Sequence, residues 1–353
     1  MKKYLALLWI GLLFLGLLLF NTVPMVDCPQ TEDPSHLSTS PSQDPTVPPE
    51  EPRCYLYMKN PTPLWQTLAA DAGVVITDNP EQATLLLLET ADRVALWADR
   101  CEDLGSTLAY AQLFHWDLAV FSQGKICGIP LSAEGLGLLC DTQLLAGLFH
   151  TTAEIQNFDQ LRQVVQEASA AGIRPFGVTD SATLARLLLA LPGDGREFVD
   201  LYFSNGGSLA AADNTPALFR LGSTAQTDDT TDILPVCLGH EDMTSHTLCV
   251  WSSHYLCIRR DAPNQKQAFA FLDYLITPQD GGSVPIDTLQ TLSPFRQARF
   301  CATPGEQKLR SNLVAGKQVF ASVPDSAGMQ TTVQALEVYL ADPTNENWEP
   351  LKK

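Results

Sequence analysis

The chain has 353 residues, with 40 Asp and Glu against 22 Lys and Arg and a formal net charge of −18. This charge excludes nucleic acid as the expected partner, because phosphate backbones favour basic surfaces. Apolar residues make up 45% of the chain and charged residues 18%, as in a globular protein. The length leaves room for two lobes or two domains.

Two lysines and a long apolar run open the chain. Lys2 and Lys3 precede residues 5–20, which contain no charged or strongly polar side chain. This pattern is typical of an export signal, and the lysines would stay on the cytoplasmic side. Residues 1–27 are therefore predicted to be a signal peptide or membrane anchor. The rest of the chain is predicted to lie on the extracytoplasmic face of a bacterial cell membrane.

Cys28 follows this run, at the place where a bacterial lipoprotein carries its lipidated cysteine. Asp27 departs from the usual lipoprotein pattern, and no small-x-small cleavage site is evident. Lipidation of Cys28, an uncleaved helix, and cleavage with release are three open alternatives. Residues 28–53 contain seven prolines among Ser, Thr, Gln and acids, so they are predicted to form a disordered, extended linker.

After the linker, the sequence alternates between apolar patterns typical of strands and apolar patterns typical of helices. Short apolar runs bounded by turn residues predict strands, and apolar side chains at i, i+3 and i+4 predict helices. In chain order we predict strand 55–58, helix 64–72, strands 74–76 and 84–88, helix 92–99, strands 125–130 and 138–140, helix 157–171, strand 175–178, helix 182–191, a strand-like run over 247–259, and helices 264–276 and 330–340. This alternation predicts an α/β fold with parallel sheets.

Eight cysteines besides Cys28 lie at wide and irregular spacings. Cys127, Cys249 and Cys257 fall within apolar, strand-like runs, where a free thiol packs as a small hydrophobic group. No two cysteines have the C-x-x-C spacing of a zinc site. We predict mostly free, buried thiols in a protein of reducing or anoxic surroundings, with no metal and no cofactor.

Four stretches, in this order, resemble a known family. They are GKICGIP at 124–130 with EGLG at 134–137, NFDQL at 157–161 with GIRPF at 172–176, WSSHYLCI at 251–258 with AFAFLDYLITP at 268–278, and YLADPTNENW at 339–348. Their order and spacing over residues 84–350 resemble the extracellular solute-binding proteins, family 1, which feed sugars to ABC transporters and include maltose-binding-protein-like members.

The resemblance implies a two-lobed periplasmic-binding-protein-like fold of type II over residues 54–353, with hinge strands between the lobes and a ligand cleft. Lobe 1 would comprise about 54–129 and 257–316, and lobe 2 about 130–252 and 320–353. The chain would cross at 128–132, 252–256 and 316–322. The second lobe is expected to be shortened, because 196–214 leave little room for a longer helical stretch of the family, and the first lobe looks abbreviated between 73 and 85.

Sugar sites use aromatic faces for stacking and a few fixed polar groups for hydroxyls. The matched family position of Glu134 faces the cleft at the first crossing. Glu89 and Thr90 follow a predicted strand, where open α/β sheets place ligands. The candidate ligand-binding residues are Glu134, Trp251, Ser253, Tyr255, Gly222, Ser223, Glu89 and Thr90. His254 at the second crossing is a weaker candidate, and Trp97 and Trp116 are expected to lie in the core.

The expected function is that of a monomeric binding protein of an ABC importer. It would bind a sugar, oligosaccharide or similar small polar solute, close by hinge motion, and deliver the solute to a permease. Enzyme motifs such as G-x-S-x-G, the P-loop and H-E-x-x-H are missing from the sequence, so no enzyme is expected. The alternative, motivated by the shortened lobes, is a degenerate relative that binds or senses a solute without transport.

Overall fold

The computed structural model describes residues 53–191, 193–209, 215–236, 246–322 and 326–352. The chain divides into residues 1–50 and a compact unit of residues 51–353, which holds all of the described residues. The predicted signal or anchor, Cys28 and the linker up to residue 52 lie outside the described residues. Within the described part, none of the helices has the length and apolar character needed to cross a membrane.

Short strands alternate with helices along the described chain. The strands are β1 Tyr55–Tyr57, β2 Val75–Thr77, β3 Leu85–Leu88, β4 Val120–Ser122, β5 Lys125–Pro130, β6 Glu134–Asp141, β7 Val178–Thr179, β8 Ser208–Leu209, β9 Phe219–Ser223, β10 Thr231–Leu234, β11 His246–Trp251, β12 Tyr255–Ile258 and β13 Gln318–Ser322.

The helices cover the two large sheets, and β7 and β8 form a third, two-stranded parallel sheet. The α-helices are α1 Pro63–Asp71, α2 Ala91–Ala95, α3 Leu108–Ala111, α4 Thr142–Gly147, α5 Phe158–Ala170, α6 Ser181–Ala190, α7 Arg196–Ser204, α8 Gln265–Ile276, α9 Pro304–Val314, α10 Ser326–Ala341 and α11 Asn345–Trp348. Short 3₁₀ turns lie at Ala98–Arg100, Trp116–Leu118, Thr152–Glu154, Thr224–Gln226, Pro285–Leu289 and Glu349–Leu351.

Lobe 1 is a sheet of order β2-β1-β3-β12-β5-β4 with helices on both faces. The all-leucine strand β3 lies inside it and is buried throughout. Because side chains alternate across a strand, Leu85 and Leu87 pack into one core with α1 and α8, while Leu86 and Leu88 pack into a second core with α2. A strand that is apolar on both faces therefore holds the centre of this lobe.

Lobe 2 is a sheet of order β10-β6-β11-β13, with β9 also paired to β6. Helices α6 and α10 cover one face of this sheet, and α9 covers the other. The C-terminal segment is fixed to the same lobe by Trp348, whose indole N–H donates to Asp194 Oδ1 at 2.6 Å. The ring of Trp348 also meets Tyr339 edge-on at 4.8 Å between centroids.

The chain first passes between the lobes in two extended segments that run side by side. One links β5 to β6 and the other links β11 to β12, and Leu131 N donates to His254 O at 2.9 Å. The hydroxyls of Ser132 and Ser253 lie 3.1 Å apart, and Ser253 N donates to the Ser132 hydroxyl at 3.3 Å. These paired segments are the hinge of the molecule.

A third crossing lies near residues 300–303, earlier than the predicted 316–322. The amides of Arg299 and Phe300 donate to the Asp287 carboxylate in lobe 1. The Thr303 hydroxyl then donates to Thr224 O in lobe 2 at 2.7 Å. Helix α9, predicted to belong to lobe 1, packs on the lobe 2 sheet, because Leu309 and Leu313 supply its apolar contacts there.

Two further predictions require correction. The sheets are mixed rather than parallel: β1 is parallel to β2 and β3, but β12 runs antiparallel to β3 and β5. In lobe 1, β12 runs against β3 and β5 after the chain returns from lobe 2, and β4 and β5 form an antiparallel hairpin. The strand-like run over 247–259 is two strands in two different sheets, β11 and β12, separated by the second crossing.

Helix α5 confirms the prediction for 157–171 to within one residue at each end. Asn157 caps it, with its Oδ1 accepting from Gln160 N at 2.9 Å. The Gln160 side chain reaches Gln156 N at 2.7 Å, one residue before the cap, so the predicted capping box is displaced by one position. Helix α8 likewise confirms the prediction for 264–276.

The seven described cysteines are free thiols, as predicted, and Cys237 lies outside the described residues. Burial raises the pKa of Cys54 to about 11 and that of Cys140 to about 12. Both are therefore protonated at neutral pH, and a thiol in this state is a weak nucleophile. They act as small apolar groups of the two cores.

His150 should make the stability of lobe 2 depend on pH. Its ring nitrogens contact Glu167 at 2.6 Å and Glu154 at 2.9 Å. Both hydrogen bonds raise the pKa of His150, and the bond to Glu167 has the larger effect. A raised folded-state pKa stabilises the protein fully below the unfolded pKa of about 6.5, and the contribution disappears as pH rises through the folded value. The Tm difference between wild type and His150→Gln should thus be larger near pH ~5.5 than at pH ~8.5. A difference that grows with pH would contradict this assignment.

Candidate functional site

A pocket opens at the carboxyl edge of the lobe 1 sheet. Strands β1 and β3 are parallel neighbours, so the segments that come after them meet at one edge. The pocket has a volume of about 290 Å³ and reaches the second crossing. Its lining residues are Tyr57, Met58, Lys59, Asn60, Thr62, Trp65, Leu87, Leu88, Glu89, Arg93 and His254.

The pocket combines an apolar floor with polar walls. Leu87, Leu88 and Met58 are buried and form part of the lobe 1 cores. Tyr57 and Trp65 supply aromatic groups, and Trp65 sits in the first turn of α1, where Thr62 Oγ1 accepts from its amide at 3.4 Å. Apolar surface with a few convergent polar groups is the usual composition of a small-molecule site.

The polar walls carry charge of both signs. Lys59, Arg93 and Glu89 are exposed to solvent at the mouth of the pocket. None of these three side chains has a salt-bridge partner among the described residues. Their donors and acceptors are thus available to a bound molecule.

His254 links the pocket to the hinge. Its Nδ1 lies 3.0 Å from the Ser253 hydroxyl, which in turn lies 3.1 Å from the Ser132 hydroxyl of the other crossing. The surrounding atoms lower the pKa of His254 by desolvation, and the charge of Glu89 opposes this effect. The imidazole is therefore neutral at pH 7, with one donor and one acceptor nitrogen.

Glu134 and Trp251 form a second polar cluster at the lobe 2 end of the crossings. They pair across β6 and β11, and the Trp251 indole N–H donates to Glu134 Oε2 at 2.7 Å. The Arg186 guanidinium lies 3.4 Å from the centroid of the Trp251 ring, and burial lowers the pKa of Arg186. One face of the indole and one carboxylate oxygen are thus engaged within the protein.

Several other predicted residues lie away from this site. Tyr255 is only 2% exposed and packs in the core beneath α2, and burial raises its pKa to about 12. Gly222 and Ser223 are buried in β9, where a Cβ on Gly222 would lie 2.2 Å from Gln226 Oε1 and Ser223 caps the next 3₁₀ turn. Burial therefore removes these three from the candidate site, because a ligand cannot reach them.

Of the remaining candidates, some line the pocket and others lie beside it. Glu89 and His254 line the pocket, whereas Thr90 precedes α2 just outside it and Ser253 lies in the hinge. Trp97 packs against the lobe 1 core as expected. The expectation for Trp116 is wrong, because its side chain is 65% exposed.

Sequence reasoning missed Tyr57, Lys59, Asn60, Trp65 and Arg93. The signal for the first three was available, because they end or follow β1 just as Glu89 follows β3. Strand β1 ends at the same edge of the sheet as β3, so the rule that ligands lie at strand carboxyl ends covers both strands. Trp65 and Arg93 come from the helices after these strands, and their approach to the pocket depends on helix packing.

Replacing Glu134 by alanine tests its role in holding Trp251. We expect Glu134→Ala to lower the free energy of unfolding by about 1–3 kcal/mol, because the indole N–H loses a charged acceptor. Urea denaturation measures this, with the exposed Glu346→Ala as matched control and Glu134→Gln as the conservative variant. Unchanged stability in Glu134→Ala would show that the 2.7 Å contact between the indole N–H and Oε2 contributes nothing.

Comparisons with known proteins identify the fold. No protein-family model matches the sequence, and no curated protein matches it. Solved structures do: apo RafE from Streptococcus pneumoniae has a TM-score of 0.63 at 11% identity, covering 85% of this chain and 96% of that one. A family 1 extracellular solute-binding protein from Bifidobacterium longum subsp. infantis has a TM-score of 0.62 at 13% identity, covering 85% and 97%.

A third neighbour, the bacterial solute receptor AcbH, has a TM-score of 0.61 at 10% identity over 84% of this chain and 95% of its own. The chain therefore has the two-lobed fold of the extracellular solute-binding proteins of family 1, and the resemblance found in the sequence is confirmed at the level of the fold. The alignment covers 96% and 97% of the first two neighbours, which is consistent with the shortening expected in the second lobe.

Proposed function

We propose that this chain is the solute-binding component of an ABC importer and that it binds a sugar or short oligosaccharide between its lobes. The pocket at the carboxyl edge of β1 and β3 carries this proposal. It brings the half-buried ring of Tyr57 together with the polar groups of Asn60, Glu89 and His254, while Trp65 is 7% exposed and packs in the core behind the pocket wall. Aromatic faces and fixed hydrogen-bonding groups are what a sugar ring requires.

The neighbours support a carbohydrate rather than another solute. RafE has been solved in complex with raffinose, and AcbH has an exclusive preference for β-D-galactopyranose. A cavity of about 290 Å³ is near the lower end of ligand-site volumes, which run from roughly 300 to 1,000 Å³. This size favours a mono- or disaccharide unit in the lobe 1 pocket.

The hinge supports closure around the solute. Two short crossings joined by the Ser132–Ser253 contact allow the lobes to rotate about a few residues, which is how hinge closure works in periplasmic binding proteins. Closure would bring Glu134 and Trp251 of lobe 2 towards the pocket. The Glu134 Oε1 atom would then accept a sugar hydroxyl, while Oε2 stays bound to the indole.

The cellular setting belongs to the same proposal. The protein would act as a monomer on the extracytoplasmic face of the membrane, held there by lipid on Cys28 or by an N-terminal helix, and deliver its solute to ABC permease subunits. Its role is binding and not catalysis. Intact-mass measurement of membrane-extracted protein separates the two anchors, because lipidation requires the loss of residues 1–27.

Calorimetric titration of residues 51–353 with a panel of mono- and oligosaccharides tests the proposal. We expect one class of saccharide to bind with a 1:1 stoichiometry. Asn60→Ala should weaken this binding by roughly tenfold, the effect of losing about 1.4 kcal/mol. Asn312→Ala, a matched change on α9 that does not touch the pocket, should leave it unchanged. Absence of heat with every saccharide would refute the proposal.

The alternative, a degenerate relative that binds or senses without transport, is not favoured. Its motivation was a shortened lobe, yet both sheets and the hinge are present in the described residues. An open polar pocket is also retained at the strand ends.

A further inference from the structure

The lobe 1 pocket carries two cations in a strongly acidic protein. Lys59 follows β1 and Arg93 lies on α2, and both line the cavity, whereas Glu89 is the one acidic side chain among the described lining residues. The whole chain has 40 acidic against 22 basic residues, so an average patch of its surface would be negative. The pocket lining therefore carries more basic than acidic side chains, the opposite of the chain as a whole.

These cations are not used by the fold. Elsewhere in lobe 1, Arg100 bonds Glu81 at 2.8 Å and Arg259 bonds Asp261 at 2.9 Å, so those guanidinium groups have carboxylate partners. Neither Lys59 nor Arg93 has a carboxylate within 4.0 Å among the described residues, and both are exposed. No hydrogen bond joins either side chain to an acceptor among residues 53–352 as far as the structure describes them, so the guanidinium and ammonium donors are available to a ligand.

Glu89, the acid of the pocket, lies four residues before Arg93 but forms no salt bridge with Lys59 or Arg93 within 4.0 Å. Arg and Lys together suit an anion well, because the guanidinium fork matches carboxylate, sulfate or phosphate oxygens and the ammonium adds a point charge. An overall negative protein also needs local cations to admit an anion at all.

We infer that the solute of this pocket is an anionic saccharide, whose acidic group binds between Lys59 and Arg93 while its ring contacts Tyr57. This rests on the proposed function, since it names the class of sugar for the same site. The acidic group is a carboxylate, a sulfate ester or a phosphate ester, which share the required chemistry.

Matched saccharide pairs test the inference on residues 51–353. Galacturonate oligomers are compared with their methyl esters, a sulfated disaccharide with its unsulfated form, and a sugar phosphate with the free sugar. We expect one acidic member to bind at least tenfold tighter than its neutral partner. Its binding should weaken several-fold when NaCl is raised from about 0.05 to 0.5 M, since screening acts on exposed charges.

Charge variants then locate the acidic group. Lys59→Met and Arg93→Met should each weaken acidic-ligand binding by roughly tenfold, and Glu89→Gln should tighten it a few-fold. Lys266→Met and Arg299→Met, exposed cations outside the pocket, are the matched controls and should have no effect. Lys59→Met and Arg93→Met should weaken the binding of neutral saccharides far less than that of acidic ones, and the two control variants should bind both kinds as wild type does. Because the altered residues are exposed, melting curves should show that every variant folds.

The outcomes separate the inference from the proposed function. If neutral saccharides bind as tightly as acidic ones, or if the Lys59 and Arg93 variants weaken both equally, the inference is wrong and sugar binding stands. If no saccharide of either kind binds, both are wrong.

Discussion

Replacing Arg259 by methionine should destabilise the folded protein by about 3–5 kcal/mol, because three carbonyl oxygens lose a buried charged donor at about 1–3 kcal/mol each. The Arg259 side chain is only 5% exposed. Its Nη1 donates to the carbonyls of Pro80, Glu81 and Ala83 at 2.9, 2.7 and 3.1 Å. Methionine fills the volume but leaves these carbonyls without a donor.

Urea denaturation of Arg259→Met and of the exposed Arg299→Met measures the effect against a matched control. Arg259→Lys should be intermediate, because lysine keeps the charge but not the planar fork. A loss below about 1 kcal/mol in Arg259→Met would show that water replaces the guanidinium at these carbonyls.

Replacing Tyr57 by alanine should weaken saccharide binding by about 10–100-fold. Tyr57 ends β1 at the pocket wall and is half-buried. An aromatic anchor at the centre of a binding site contributes roughly 2 kcal/mol or more when truncated. Tyr57→Phe should keep most of the affinity if the ring stacks on the sugar, and should behave like alanine if the hydroxyl is the contact.

Calorimetry on the saccharide that binds wild type most tightly measures this series. Tyr110→Ala, a tyrosine outside the pocket, is the matched control. An unchanged Kd in Tyr57→Ala would show that the sugar binds between the lobes without contacting the Tyr57 ring.

The sequence predicted those helices whose signals are local. Helix α5 has an apolar stripe at helical spacing with Asn157 as its cap, and α8 repeats that pattern before Pro278. Helix α9 was missed because its sequence, PGEQKLRSNLV, is mostly polar and buries few apolar side chains, Leu309 and Leu313 among them. Its helical state depends on packing against β6, β10 and β11.

Strand β6 shows the limit of local reasoning most clearly. Its eight residues include Gly135 and Gly137, which have little intrinsic preference for a strand. Pairing with β9, β10 and β11 makes it the centre of lobe 2, and these contacts come from distant parts of the chain. The sequence pattern predicted only residues 138–140.

The sequence predicts those pocket residues that follow from the end of a single strand. It does not predict those that require knowing which strands are neighbours in the sheet. Glu89 was selected from the end of β3, and it lines the pocket. Lys59 and Asn60 required the knowledge that β1 lies beside β3, which is a property of the folded sheet. Gly222 and Tyr255 were selected by family resemblance, but their burial results from packing that the sequence does not specify.

Small-angle X-ray scattering of residues 51–353 tests the central claim, that two lobes close on a carbohydrate, most directly. Scattering is recorded without ligand and with each saccharide class at millimolar concentration, so the ligand need not be known beforehand. We expect the radius of gyration to fall with one class, and Tyr57→Ala to need about 10–100-fold more of that ligand for the same decrease. A radius of gyration that stays constant with every saccharide would contradict the account.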